Sequence, residues 1–540
     1  MRIPFLLLTC CALQAAEPTL THVHPAAVQR GTEADVKFTG KFTPWPCKVW
    51  TDAPGIVFTA GKDAGKFHVA VAADVAEGPH LIRAFNDEGA SAPISLIVAS
   101  TPQTAEKEPN DDFRQPQVLN ETTCVINGIH EKADDVDSFA IALKKGQTLV
   151  TWVEAYVLAA GFDAMLRIVD EGGQTLAFNH DFTTMDPFMP FIVPRDGRYV
   201  IQTMGHKYPA ASDVRFAGGD DCVYRLHLST APYVSHTWPL LVQRGNKTQV
   251  GLEGWNLTAP TMELDPAAAP TIPVEFSDVP EFIETGESQT LPIPSAVSGR
   301  IVNPGAKDRY QFTTTKGAVL EFNVTGPRFG SEIDAWLKIL NQEGKEIATN
   351  DDADGSSDPR LVWTAPADGT FTALVGDLTQ RGGQAFYYRL QISPVVPSAS
   401  GVIANHSVKV EASKSAEIKV TVALKNGYQK KLKLAAKNLP PGTSIAEVEV
   451  PEKGGEVKLS ITAEPTAQGA SQPFQLVLRE VDGGAEMPVV YSMVSTTENN
   501  GVPQGYRQLL INTTPQLWLT VTVPPPPKPA DPPTPVPPGK

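Results

Sequence analysis

Residues 162–181, FDAMLRIVDEGGQTLAFNHD, decide the fold. Two short apolar runs flank an Asp-Glu-Gly-Gly turn, which is the pattern of a β-hairpin and not of a helix. The same pattern returns 171 residues further on, at residues 333–352, as IDAWLKILNQEGKEIATNDD. Gly128 and Gly299 keep that shift, as do Asp137 and Asp308. The Asp-Gly pairs at 196–197 and 368–369 drift by one, and the Tyr-Arg-Leu triplets at Tyr224 and Tyr388 drift the other way, as loop insertions and deletions would make them. A second repeat brackets the first: residues 25–40, PAAVQRGTEADVKFTG, return at residues 239–254 as PLLVQRGNKTQVGLEG. Helical periodicity is nearly absent elsewhere, and alternating runs such as KVTVAL at 419–424 are bounded by Gly, Pro, Asn and Asp.

The fold class expected is therefore all-β: tandem β-sandwiches, with a disordered proline-rich C-terminal tail. The expected layout is a small sandwich (18–101), a large one (103–230), a shortened copy of the first (232–279), a copy of the second (280–394) and a last sandwich (398–523). The tail, PPPPKPADPPTPVPPGK at 524–540, reads as an extended spacer.

Composition sets further bounds. A chain of 540 residues exceeds what one core serves, and 41% apolar content is enough to fold it. Against 60 acidic residues stand 45 basic ones, a net charge of −15, which repels nucleic acid and anionic lipid and attracts divalent cations. Residues 1–16 read as a secretory signal: Arg2, an apolar stretch over 3–13, and Gln14-Ala15-Ala16 before the cut. A lipid anchor through Cys10 or Cys11 fits poorly, because the apolar run ahead of them is very short. Past the leader no stretch reaches the ~18 apolar residues of a transmembrane segment. The expected location is secreted: extracellular, periplasmic or cell surface. Cleavage leaves Cys47, Cys124 and Cys222. An odd count is no disulfide scaffold, and two readings stay open: a Cys124–Cys222 bond across one domain, or three buried thiols.

The order of motifs EKEPNDDF at 106–113, Gly128, DDVDSF at 134–139, the 162–177 strand pair, DGRY at 196–199 and YRLHL at 224–228 resembles the bacterial pre-peptidase C-terminal (PPC) domain. The second copy resembles it over 298–392. The opening segment resembles an immunoglobulin-like TIG module, and the region around LAAKNLPPGTSI at 434–445 is similar to immunoglobulin-like domains of large secreted bacterial proteins. These resemblances imply that the tandem β-sandwiches are immunoglobulin-like and jelly-roll-like, and that the latter are non-catalytic, accompany secreted proteases and bind calcium.

Calcium takes six to eight oxygens, and carboxylates crowd together only when a cation neutralises them. Glu106, Glu108, Asn110 and Asp111 offer four oxygen-bearing side chains within six residues, and Asp134 and Asp137 two more just before a strand. Folding of the strip against that turn, implied by the resemblance, makes these six the expected metal ligands and calcium the expected cofactor. The ordinary alternative is a solvated acidic linker. In the second copy EFIETGES leaves only Glu284 and Glu287, with Asp308 after Lys307, and the site is expected to be lost. The second copy has instead an acidic loop, NDDADGSSD at 350–358. Asn350, Asp352 and Asp354 before Gly355 begin like an EF-hand, but Leu361 stands where the bidentate glutamate belongs, leaving a weak loop site or a hairpin tip whose aspartates cap amides. Asp163 and Asp334 read as buried carboxylates bonded to a neighbouring turn.

No G-x-S-x-G elbow, H-E-x-x-H helix, P-loop or dinucleotide fingerprint occurs, and no catalytic or other cofactor-binding residue is expected. His130-Glu131 opens like a zinc-protease motif, but Asp134 holds the second histidine's place. Trp45, Trp50, Trp152, Tyr156, Trp336 and Trp363 read mainly as core, with Tyr156 and Phe188 the first choices for surface contact. The function expected is a secreted, non-catalytic binding or adhesion protein, stiffened by calcium and contacting extracellular protein or polysaccharide. The alternatives are an accessory or anchoring subunit of a secreted hydrolase, or a structural envelope spacer.

Overall fold

The structure, a computed structural model, describes residues 15–524 except 209–211, 213, 246, 268–271, 287, 354–355 and 495–509. The leader up to residue 14 and the proline tail from 525 lie outside the described residues. Among those described, the regular elements are strands and two short 3-10 turns, Tyr156–Leu158 and Pro327–Phe329, which occupy equivalent places in the two large sandwiches. The fold is all-β, a tandem of immunoglobulin-like and related sandwiches.

The hairpin at 162–181 forms as its pattern dictates: Phe162–Val169 pairs antiparallel with Thr175–Asn179, with a bulge between Ile168 and Val169. Its counterpart pairs Ala335–Leu340 with Glu346–Asn350 and bulges at Ile339/Leu340, the same position in the repeat. Alternation sends Phe162, Ala164, Leu166 and Ile168 into the core while Asp163, Met165 and Arg167 face outward. Around each hairpin the two large sandwiches repeat one topology, two five-stranded sheets with matching strand order. In the first, one sheet runs Gln103–Ala105, Cys124–Ile129, Val223–Ser229, Thr148–Glu154, Phe188–Ile192. The other runs Gln117–Val118, Asp137–Leu143, Gly197–Lys207, Phe162–Val169, Thr175–Asn179.

The small units repeat as well. Thr19–His24 pairs with Glu33–Lys41 across a bulge at Leu20/His22, and Tyr233–Trp238 pairs with Thr248–Trp255 across one at Val234/His236. Gly40 and Gly254 mark the same contact: a Cβ on either would lie 2.0 Å from the carbonyl oxygen of Thr19 or Tyr233, so both positions require glycine. The later unit keeps only a small core, Val242, Val250 and Leu264. The last sandwich is an 11-stranded assembly, eight strands in one path and three beside it, around Val420, Leu434, Phe474 and Leu476. It packs on the first unit: Trp518 meets Trp50 and Phe85 edge-on or tilted at 6.1 and 5.0 Å, and the buried Arg83 donates to the Gln516 carbonyl at 2.7 Å.

Cys47, Cys124 and Cys222 are all free thiols. The Cys124–Cys222 bond fails on register. Their strands are antiparallel neighbours, with Cys124 opposite Leu228 and Ile129 opposite Val223, so the two sulfurs lie at opposite ends of the ladder. Six residues of strand separate them by ~17–20 Å, far beyond disulfide reach.

Candidate metal centre

Strand Gln103–Ala105 runs parallel to Cys124–Ile129 at the sheet edge, and the amide of Glu106 extends this pairing to the Asn127 carbonyl at 3.1 Å. Residues 106–111 thereby cross the end of the sandwich beside the loop 130–136, and the Ser138 amide fastens them by donating to the Asn110 carbonyl at 3.2 Å. At the inner end the Glu106 carboxyl accepts from the Ile129 amide (2.8 Å), the Asn110 side-chain amide (3.2 Å) and the Tyr224 hydroxyl (3.2 Å). The same hydroxyl lies 2.7 Å from Asp137 Oδ2. One phenolic proton cannot serve two ionised carboxylates, so a further proton or a cation must complete the charge. Burial drives Glu106 up to about 8, with the Asp137 charge adding to it, and burial drives Asp137 up to about 7.

Further out, Asp135 Oδ2 accepts from the amides of Glu131 (2.5 Å) and Lys132 (3.4 Å). Lys132 Nζ bonds Asp111 Oδ2 at 2.8 Å and stands 3.5 Å from Asp135 Oδ1, supplying positive charge at the rim. Glu108, Asp111, Asp135 and Asp137 each bring a carboxylate oxygen within 4.8 Å of the others, and His130, Asp135 and Asp137 do the same. Asn110 Oδ1, Asp135 Oδ1 and Asp137 Oδ1 are buried without a hydrogen-bond partner. Buried acceptors are almost always paired, and an oxygen-ligated cation would satisfy these three, of which Asp135 Oδ1 otherwise has only the Lys132 ammonium 3.5 Å away.

Of the six ligands expected, Glu108, Asp111 and Asp137 converge directly, and Glu106 and Asn110 join them through hydrogen bonds. Asp134 does not converge. It is exposed, with φ of 66°, its amide donating to the Phe216 carbonyl at 3.0 Å and its Oδ1 accepting the Phe216 amide at 3.2 Å. Asp135 points inward instead. The signal for it was available: approaching the strand that begins at Asp137, side chains two apart share a face, so 135 and 137 pair where 134 and 137 do not. Tyr224 and His130 were also missed as parts of the cluster.

The second large sandwich is a built-in comparison. Glu284 accepts the Arg300 amide (2.8 Å), Tyr388 donates to Asp308 Oδ2 (2.7 Å), and burial next to Asp308 drives Glu284 up to about 7. The Glu–Asp–Tyr triangle thus belongs to the shared fold. Ile301 and Ala306 replace His130 and Asp135, and Glu287 lies outside the described residues. In the acidic loop, residues 354–355 are outside them too. Around it Asn350 Oδ1 accepts the Arg360 amide at 3.0 Å and Asp358 Oδ1 the Gly326 amide at 3.1 Å, the capping role of a hairpin tip. Asp163 and Asp334 are half-buried. The turn-bonding carboxylate is Asp377, which accepts from the Asp334, Thr379 and Arg381 amides.

A second concavity, of about 730 Å³, opens where the first large sandwich meets the first, third and last units. Trp152, Glu154, Arg225, His227 and Tyr233 line it, Trp152 stacked on His227 at 4.2 Å and 12°. Phe188 lies beside it, tilted against Trp152, Tyr233 and Trp255, while Tyr156 opens a 3-10 turn. In the second copy Asn323 and Gln391 take the places of Trp152 and His227.

The family model of the bacterial pre-peptidase C-terminal domain matches residues 306–376. The match falls on the second large sandwich, whereas the sequence reading leaned on the first. No curated protein matches the chain. Among solved structures, the pre-peptidase C-terminal domain of a collagenase from Bacillus anthracis is 14% identical, with 20% of this chain and 97% of that one covered and a TM-score of 0.17. The N-terminal four Ig domains of Dscam1 isoform 1.9 are 12% identical, with coverage of 88% and 96% and a TM-score of 0.19. A Bacteroides ovatus SGBP-B protein in complex with a mixed-linkage heptasaccharide is 10% identical, with coverage of 70% and 75% and a TM-score of 0.15. Scores this low lend nothing to a functional argument. The family match is of another kind: within the second large sandwich, residues 306–376 are found to be a bacterial pre-peptidase C-terminal domain.

Proposed function

We propose that the protein is an exported, non-catalytic binding protein in which the first large sandwich, a second pre-peptidase C-terminal domain, holds calcium through Glu106, Glu108, Asn110, Asp111, Asp135 and Asp137. In this reading the two small units are a TIG module and its shortened copy. The observation that carries the cation claim is the set of buried oxygens without a hydrogen-bond partner on Asn110, Asp135 and Asp137, contributed by the strip 106–111 and the loop before Asp137. An ion there ties the strip that leaves the first unit to the body of the next, so it fixes a linker and not a reaction. The 730 Å³ junction cavity, with Trp152 and the Arg225–Glu154 pair, suits an extracellular polysaccharide or a protein side chain presented to it. Retention of the full chain on a panel of insoluble polysaccharides and matrix proteins, with calcium and with chelator, tests this. Binding to a panel member that weakens in chelator is expected. Binding to none, or turnover of any of them, contradicts it.

A further inference from the structure

His130 has no ordinary structural reason to be where it is. Its side chain is 0% exposed, yet neither ring nitrogen has a hydrogen-bond partner. A neutral imidazole carries one donor and one acceptor, and buried groups of this kind are normally satisfied. The ring cannot swing away to find water: it stacks on Tyr224 (4.9 Å, 29°) and meets the edge of Phe162 (4.9 Å, 84°). Its backbone is fastened on both sides, the amide to the Cys222 carbonyl at 3.1 Å and the carbonyl to the Gly219 amide at 2.8 Å. Held there, Nδ1 lies 3.0 Å from Asp137 Oδ2, out of line for a hydrogen bond, and a ring nitrogen lies within 4.8 Å of a carboxylate oxygen of both Asp135 and Asp137.

We infer that His130, with Asp135 and Asp137, lets the cation site proposed above accept, besides calcium, a transition-metal dication of the manganese-to-zinc series, and bind it more tightly. The inference rests on the cation reading of the same cluster and names the ion. Ligands about 2.0–2.2 Å from an ion at angles between 90° and tetrahedral stand ~3.0–3.5 Å apart, which the 3.0 Å contact matches. Calcium needs longer bonds and oxygen ligands, whereas imidazole nitrogen suits zinc, copper, iron and nickel. The second large sandwich supplies independent support. It keeps the buried Glu284, Asp308 and Tyr388, yet where the first has His130 and Asp135 it has Ile301 and Ala306. The Ile301 amide makes the same backbone bond, to the Phe386 carbonyl at 2.9 Å. The fold therefore does not need the His–Asp pair, and both members are missing together.

The test uses the full-length chain loaded with Co²⁺, Mn²⁺, Zn²⁺ or Ca²⁺, beside the His130→Ile variant, whose replacement side chain already sits at the equivalent position of the sister domain. Wild type should bind Zn²⁺ at least about tenfold more tightly than Ca²⁺. It should also give visible Co²⁺ bands of a nitrogen-containing, low-coordinate site, and ¹⁴N coupling in pulsed EPR of the Mn²⁺ form. His130→Ile should lose the bands, the coupling and the preference for zinc. If that variant does not fold, Asp135→Ala, which mirrors Ala306, should lose the same signals. Equal Ca²⁺ and Zn²⁺ affinities in wild type, with Co²⁺ and Mn²⁺ spectra that neither substitution changes, overturn the inference and leave the calcium reading standing. Failure of every ion to bind removes both.

Discussion

The titration of Glu106 and Asp137 sets how stability varies with pH. Burial raises both folded-state pKa values above those of unfolded carboxyls, to about 8 and about 7. The folded state then holds more protons than the unfolded one, so their contribution is fully present below about pH 4 and lost as pH rises through 7 and 8. Without metal the first large sandwich should lose stability steadily between pH 5 and 8. Saturating divalent cation, which takes the place of the protons, should flatten the profile. Thermal melts across that range with and without chelator measure it, and a chelated profile that rises towards pH 8 would count against the buried pair. Gly128 supports the same triangle. A Cβ there would stand 2.2 Å from the Tyr224 ring, so Gly128→Ala should displace the tyrosine and cost ~1–3 kcal/mol in denaturant unfolding. The strip 106–111 was legible because its oxygen-bearing residues crowd within six positions of sequence. Asp135 was passed over because spacing along the chain was read without the two-residue period of the strand beside it.

At the scale of elements, the proposed cation would act on one edge strand and one loop. Gln117 fastens the strip from outside, its Oε1 accepting the Lys107 amide at 2.8 Å and its Nε2 donating to the Ala105 carbonyl at 3.1 Å. A bound ion should close the inner side. Hydrogen exchange at the Ile129 and Ser138 amides, which bond to Glu106 and to the Asn110 carbonyl, is expected to slow at least about tenfold on adding divalent metal. The Arg300 amide, in the same place of the second copy, should not respond. Equal slowing at both sites would mean a global effect. The hairpins and their bulges could be read from sequence because alternation and turn residues are local signals. Of the two readings left open for the cysteines, the Cys124–Cys222 bond fails for the complementary reason: two strand starts in one domain say nothing about which ends are neighbours until the register is known.

Across the whole molecule, the contacts between units lie outside what a repeat comparison can find, since each joins different copies. Arg83 shows this: a cation in an alternating strand of the first unit, it is fully buried because the last unit covers it, accepting from it at Gln516 and stacking Trp518 nearby. Arg83→Met should part the two units, raising the radius of gyration in small-angle scattering and shifting Trp518 emission to the red. Unchanged scattering would mean that the aromatic contacts suffice. The junction cavity depends on the same closure, because Ile511 and Asn512 of the last unit line it. The most direct test of the cation claim is the melting temperature of the intact chain in chelator and in excess divalent metal, for wild type and for Asp135→Ala. Wild type should melt several degrees higher with metal, and the variant should show little or no shift. A wild-type melting temperature that is the same in chelator and in metal would contradict it.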